Sequence, residues 1–151
     1  MLALAGAIVT IDAMGCQTAI AEQIIAGGGD YVLAIKDNQP QLAEALRDFF
    51  ALLNTPGYPK REISVHETLD KGHGRLETRC GIAADNLDWL DLLGLKARWT
   101  KLTSVACIES TREMAGKITT EQRYVISSLP ADSQRILHAV RTHWGIENGL
   151  H

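Results

Sequence analysis

The sequence has few aromatic residues, few cysteines and no long apolar run. Aromatic residues make up 5% of the 151 residues, against 46% hydrophobic and 22% charged residues. This balance argues against intrinsic disorder, collagen and coiled coil, and a chain of this length can bury its own core. The longest apolar stretches, such as residues 6–11, are too short to cross a bilayer, so we expect no membrane contact.

The three cysteines, Cys16, Cys80 and Cys107, lie far apart in the sequence. Their odd number and wide spacing predict reduced thiols rather than a disulfide framework or a zinc site. The first residues lack the positive charge and the cleavage site of a signal peptide. Both features predict a cytoplasmic protein.

The net charge of −3 is small, but it is the sum of unlike regions. Residues 1–50 carry six acidic and two basic residues, whereas residues 96–123 carry six basic and three acidic ones. A protein that binds a polyanion at one place and metal ions at another has such a pattern, and so do many neutral enzymes.

The first third of the chain has the pattern of an α/β unit. The β-branched runs at residues 7–11 and 31–35 predict strands that are buried on both faces. Helical spacing at residues 18–26, and again from Pro40 onward, predicts a helix after each strand. Strand and helix alternating at this spacing indicate parallel strands.

The middle of the chain has a different pattern. We predict a short helix at residues 87–93 and two hairpins, one with its loop at 70–74 and one turning at Gly116. The predicted strands of these hairpins span 62–67, 76–82, 104–112 and 123–128. Residues 130–132 open a last helix. The chain therefore divides into an α/β segment (1–53), a mainly antiparallel insertion (54–129) and a terminal helix (130–151).

Asp12 is the first candidate for chemistry. It directly follows the first predicted strand, and open α/β sheets bind ligands at the carboxyl ends of their strands. The position also suits an aspartate that caps a turn or a helix.

Glu147 is the second candidate because of its helical phase. Leu137, Val140, Trp144 and Glu147 are spaced three, four and three residues apart, so the carboxylate lies on the apolar stripe of the last helix. An inward-facing carboxylate must be paired, protonated or bound to a metal. A glutamate at the edge of the stripe would instead reach solvent.

Basic residues around the turn at 72–74 are candidates for phosphate contacts. Arg75, Glu77 and Arg79 alternate onto one face of a strand, next to His73, and the arginines of that face suit a phosphate backbone. A solvated ladder of cross-strand charges is the other interpretation. Three polar residues after the second predicted strand suit phosphate or base contacts, or simply the start of a helix: Lys36, Asn38 and Gln39.

Five blocks of the chain, taken in order, resemble a known protein family. They are residues 8–17, 28–39, 72–79, 124–129 and 143–151, and the last block, His-Trp-Gly-Ile-Glu-Asn-Gly-Leu-His, is the most specific. They are similar to blocks of bacterial insertion-sequence transposases of the DDE type, in particular the group that includes the H-repeat-associated proteins.

This resemblance implies an α/β protein with a partial ribonuclease H-like fold and an antiparallel insertion before its catalytic helix. It also implies DNA cleavage and strand transfer at transposon ends by two-metal chemistry, with Mg²⁺ or Mn²⁺ as cofactor. Asp12 matches the family's second aspartate, and Glu147 matches its glutamate. The resemblance therefore implies that each of these two residues is catalytic and binds a metal ion. The residues that it makes candidates for DNA binding are Lys36, Asn38, Gln39, His73, Arg75, Arg79 and His143.

The family pattern extends beyond this sequence. The family's first aspartate lies upstream of Asp12, related transposases have tyrosine and arginine where this chain has Val140 and His143, and the family continues after its glutamate helix. We therefore expect an internal piece of a transposase, truncated at both ends, that is marginally stable and does not transpose DNA by itself.

Two other functions fit the sequence. One is a non-catalytic DNA-binding or regulatory remnant that interacts with itself or with full-length transposase. The other is a small metal-binding protein, because His143, Glu147 and His151 follow each other at intervals of four residues on one helix.

Overall fold

The structure is a computed structural model that describes residues 4–12, 17–57 and 63–149, with residues 143–149 described as backbone only. A single 3₁₀ turn at Lys96–Arg98 lies between its third helix and fifth strand. The elements in chain order are β1 (Ile8–Ile11), α1 (Thr18–Ala26), β2 (Asp30–Ile35), α2 (Pro40–Leu53), β3 (Ile63–Gly72), β4 (Arg75–Ala84), α3 (Asp88–Leu92), β5 (Ser104–Met114), β6 (Lys117–Ser127) and α4 (Ser133–Gly149).

The six strands form one mixed sheet in the order β1-β2-β6-β5-β4-β3. β1 and β2 are parallel, and all other neighbours are antiparallel. The α/β class, the parallel start and both predicted hairpins are thus confirmed. The antiparallel strands continue the same sheet, because β6 pairs with β2. None of the helices in the described part of the chain is long and apolar enough to span a membrane.

Both hairpins are longer than the sequence predicts. β3 pairs with β4, and β5 with β6, along their whole lengths. Two residues close each turn, His73–Gly74 and Ala115–Gly116, and all four have φ between +53° and +77°. Positive φ at both central positions defines a type I′ turn, whose twist matches that of the strands. The predicted loop at 70–74 is therefore wrong. Because the turn has only two residues, strand pairing continues up to residues 72 and 75.

The prediction that β1 is buried on both faces is also wrong. Ile8 is 36% exposed, and the other residues of β1 are half-buried. Within the described chain β1 lies at the edge of the sheet and pairs with β2 alone. β2, which lies between β1 and β6, is buried over Tyr31–Ile35 as predicted.

Helices cover both faces of the sheet, which creates two hydrophobic cores. On one face α1, α2 and α3 pack against side chains that include Tyr31, Leu33 and Ile126, and Leu46 of α2 is completely buried there. At the rim of this core the ring of Phe49 stacks on that of Trp89, with centroids 4.4 Å apart. Burial of large apolar side chains is the main stabilising contribution on this face.

α4 packs on small residues of the opposite face. Leu137 and Val140 are each only 2% exposed, which confirms this part of the predicted apolar stripe. A Cβ atom built on Gly81 would lie 3.6 Å from Cβ of Leu137, so the helix approaches the β4 backbone closely. The side chains of Trp144 and Glu147 lie outside the described residues.

α4 begins over the outer strands and runs toward β1. The helix starts directly after residues 130–132 as predicted, and the backbone N–H of Arg135 donates to Oδ1 of Asp132 at 3.2 Å, so Asp132 caps it. The N–H of Ser133 donates to Oγ of Ser64 on β3 at 3.0 Å. The helix also contacts β2 and β1. It therefore crosses the sheet toward the strand that precedes Asp12.

We expect the buried thiol of Cys107 to resist alkylation in the folded protein. Burial, with a smaller contribution from Glu109, raises the pKa of Cys107 to about 12, and burial also raises that of Cys80. Because the thiolate is the reactive form, Cys107 should stay unmodified by iodoacetamide at pH 8 and react in guanidinium chloride. Peptide mass spectrometry measures this. Equal labelling of Cys107 in folded and unfolded protein would contradict its burial.

Candidate functional site

Asp12 lies at the carboxyl end of β1, on the α4 side of the sheet. Thr10 lies opposite Val32, which belongs to the buried cluster under α4. Because side chains alternate along a strand, Asp12 follows Thr10 on that side. The exposed residue lines a cavity of about 500 Å³. Asp12 is thus located where open α/β sheets bind ligands.

This cavity contains one of the three polar residues that follow the second strand. Lys36, directly after β2, lines it together with Asp12. Asn38 and Gln39 do not line this cavity. They lie at the start of α2, where the carbonyl oxygen of Gln39 accepts a hydrogen bond from the N–H of Ala43 at 2.9 Å.

Most of the side chains that we predict to bind metal lie outside the described residues. The side chains of His143 and Glu147, and all of His151, are not described. Among the side chains that are, no three His, Cys, Asp or Glu residues are grouped to hold a metal ion. The carboxylate of Asp12 is an oxygen ligand of the kind that Mg²⁺ prefers, and the carboxylates of Asp37 and Glu121 line the same cavity.

A basic groove on the α4 face of the sheet adjoins this cavity. We use this name for a cavity of about 430 Å³ between the long hairpins and α4. Glu121 and Arg123 line both cavities, and the groove therefore continues from the edge that holds Asp12. Its basic side chains outnumber the acidic ones by six to three, which favours a polyanion. They are Lys71, Arg75, Arg79, Arg112, Arg123 and Arg141, against Asp70, Glu77 and Glu121.

Glu77 holds three arginines of the groove. Its side chain is 12% exposed, and Oε2 accepts a hydrogen bond from Nη2 of Arg79 at 2.9 Å. Oε1 forms ion pairs with Arg75 and Arg112, whose Nε atoms lie 2.9 Å and 3.2 Å away. Neither contact is a hydrogen bond, and Oε1 has no hydrogen-bond partner among the described residues. Three guanidinium groups thus share one carboxylate, which leaves positive charge for an outside anion.

The groove contains three of the predicted residues and others that sequence analysis missed. His73 at the hairpin tip, Arg75 and Arg79 line it as one group. The excess of basic residues at 96–123 is a signal for Arg112 and Arg123, but their place depends on the register of β5 and β6. Arg141 lines the groove because α4 packs on strands that are distant in the sequence. The sequence carries no local signal for this packing.

Comparison with known proteins identifies relatives along the whole chain. The "H repeat-associated putative transposase YhhI" of Escherichia coli K12 is 38% identical over 157 aligned residues, covering 100% of this chain and 40% of the relative. The "Putative transposase YncI" of E. coli O157:H7 is 35% identical over 147 residues, or 95% of this chain and 36% of the relative. The "H repeat-associated putative transposase YbfD" of E. coli K12 is 46% identical over 92 residues, or 60% and 34%.

The chain spans about two fifths of the length of the curated relatives it matches. No family model matches the chain. No solved structure matches it either.

Proposed function

Because the chain belongs to the family of the H repeat-associated transposases, we propose that it is the part of a transposase that binds DNA along the basic groove. In this proposal it also carries two carboxylates for strand cleavage and transfer, and its sheet is part of a ribonuclease H-like fold. The single observation that carries the proposal is the continuity of the groove with the cavity at Asp12.

The groove supplies the contacts that a DNA backbone requires. Arginine binds phosphate oxygens through a planar fork of N–H donors, and backbone contacts provide most of the affinity of non-specific DNA binding. The side chains of Arg75 and Arg112 are 46% and 50% exposed, so their outer N–H groups remain accessible while Glu77 fixes their position. A duplex lying along the groove would reach the cavity of Asp12 past Arg123.

The catalytic end of the proposal combines Asp12 with Glu147. Asp12 follows β1, and α4, which carries Glu147, contacts that strand. In this role the two carboxylates would hold Mg²⁺ or Mn²⁺, which when bound activates the attacking hydroxyl and stabilises the leaving oxygen. Lys36 lines the same cavity and would hold a phosphate of the reacting strand near Asp12.

A non-catalytic role in DNA binding is the second candidate. The described residues form the whole basic groove, whereas Asp12 alone of the two matched carboxylates has a described side chain. The 151 residues hold two of the three carboxylates that the family resemblance implies. In this proposal they bind DNA by themselves but transfer no strand.

Neutralising two groove arginines should weaken DNA binding much more than neutralising two basic residues elsewhere. We expect the double variant Arg75→Gln/Arg112→Gln to lose about tenfold or more in affinity for a duplex at low salt. The slope of log K against log salt should fall by about two, because each lost phosphate contact removes roughly 0.9. Fluorescence anisotropy across a salt series measures both quantities.

The matched control is Lys96→Gln/Arg98→Gln, which also removes two positive charges. These residues lie near Leu95 and Trp99, which belong to the core on the other face of the sheet. This variant should keep the wild-type salt slope. Equal losses in the two double variants would refute the groove as the DNA site, and they would leave only a general effect of net charge.

A further inference from the structure

Asp70 connects the β3–β4 hairpin to α4 within the basic groove. One oxygen, Oδ2, contacts both Nη2 of Arg141 and, at 3.4 Å, Nη1 of Arg79. The two arginines belong to different elements, α4 and β4. A single carboxylate oxygen thus lies between two guanidinium groups that converge on it. A phosphate oxygen bound by two arginines has the same arrangement.

The two acidic residues beside Arg79 differ in solvent exposure. The side chain of Glu77 is 12% exposed and has three arginine neighbours, whereas that of Asp70 is 47% exposed. An exposed ion pair contributes little to stability and exchanges readily with ions from solution. Removing a partner from a largely buried ion pair is far more costly. Glu77 is therefore a permanent part of the groove, and Asp70 is exchangeable.

We propose that Asp70 occupies a phosphate position in the free protein and is displaced by a phosphate group of the DNA backbone. The proposal rests on the proposed function of the groove. Without DNA, the carboxylate holds Arg79 and Arg141 at the right separation. When a duplex enters, a phosphate takes its place between the guanidinium groups, and Asp70 turns to solvent. The wild-type protein therefore binds DNA more weakly than its arginines would allow.

The test compares two variants that remove one negative charge from the same strand. Asp70→Asn removes the competing carboxylate. Glu67→Gln is the matched control, because residues 67 and 70 differ by an odd number of positions and their side chains point to opposite faces of β3. We expect Asp70→Asn to bind a duplex about tenfold more tightly at low salt, with a salt slope steeper by up to about 0.9. Glu67→Gln should stay within about twofold of wild type, since its charge acts only at a distance.

A second measurement tests the anion site without DNA. Inorganic phosphate should raise the melting temperature of Asp70→Asn by about 2 °C more than that of wild type or Glu67→Gln. Sodium chloride at equal ionic strength is the reference. Asp70→Ser should behave like Asp70→Asn, which separates loss of the carboxylate from any property of asparagine.

The outcomes distinguish this inference from the proposed function. Should wild type bind DNA while Asp70→Asn gains no more than Glu67→Gln, the exchange at Asp70 is refuted and DNA binding stands. Weaker binding by Asp70→Asn would make Asp70 a structural tie and also refute the exchange. An extra phosphate effect in Asp70→Asn, without duplex binding by any variant, would support the anion site and overturn the DNA groove.

Discussion

Replacing Leu137 by alanine should lower the free energy of unfolding by about 2–5 kcal/mol, the range for a buried leucine in a core. Leu137 is 2% exposed and lies against the backbone of β4 at Gly81. The buried cluster of that face includes Ala83 and Ala106, whose short side chains cannot extend to fill the space left by leucine. For a chain of this length the melting temperature should fall by about 5–15 °C.

Leu92→Ala is the matched control for this prediction. Leu92 is 89% exposed at the end of α3, so the same chemical change should alter stability by less than about 0.5 kcal/mol. Thermal unfolding followed by circular dichroism measures both variants. A Leu137→Ala protein that melts within 1 °C of wild type, on the order of the effect of an exposed site, would show that α4 is not packed on the sheet.

The docking of α4 matters for function because the helix contributes to both ends of the proposed site. It carries Arg141 into the basic groove, and its last turns carry Glu147 toward β1. Loss of packing at Leu137 should therefore weaken DNA binding at temperatures where the sheet is still folded.

The local elements of this fold could be predicted from the sequence because their signals are local. β-branched runs indicated β1 and β2, Pro40 marked the first turn of α2, and Asp132 marked the start of α4. Each signal depends on residues within one or two turns of chain. The predicted strands β3 to β6 are shorter than the observed ones because positions near the hairpin tips are exposed. Exposure weakens the alternation of apolar and polar residues that marks a strand.

The site depends more on distant pairing than on local pattern. Arg75, Glu77 and Arg79 share one face by alternation alone, and the sequence predicts this correctly. Arg112 joins them because β5 pairs with β4, which places Arg112 directly opposite Glu77. That register is set by packing along the whole sheet, and no window of sequence contains it.

The exposure of β1 has a related cause. Its residues are those of a buried strand, but burial depends on the neighbours that the strand finds in the sheet. Among the described residues β2 is the neighbour on one side. Ile8 therefore remains 36% exposed despite its composition.

Replacing Asp12 should strongly reduce strand transfer in a protein that carries all three carboxylates. On the proposed function, such a protein would be a chimera in which these 151 residues replace the matching segment of YhhI, to which they are 38% identical. Metal-bound oxygens supply several kcal/mol of transition-state stabilisation, so Asp12→Asn should reduce the rate on the order of a thousandfold. DNA affinity should change by about twofold or less, because the phosphate contacts lie along the groove.

Asp37→Asn is the matched control, since Asp37 lines the same cavity and the change removes the same charge. Its strand transfer should stay close to that of the unmodified chimera, measured with Mg²⁺ on a duplex bearing a transposon end. Equal loss in both variants would indicate a general electrostatic effect of the cavity rather than a metal ligand at Asp12. Strand transfer by the isolated 151-residue chain would contradict the proposal that a third carboxylate is needed in addition to Asp12 and Glu147.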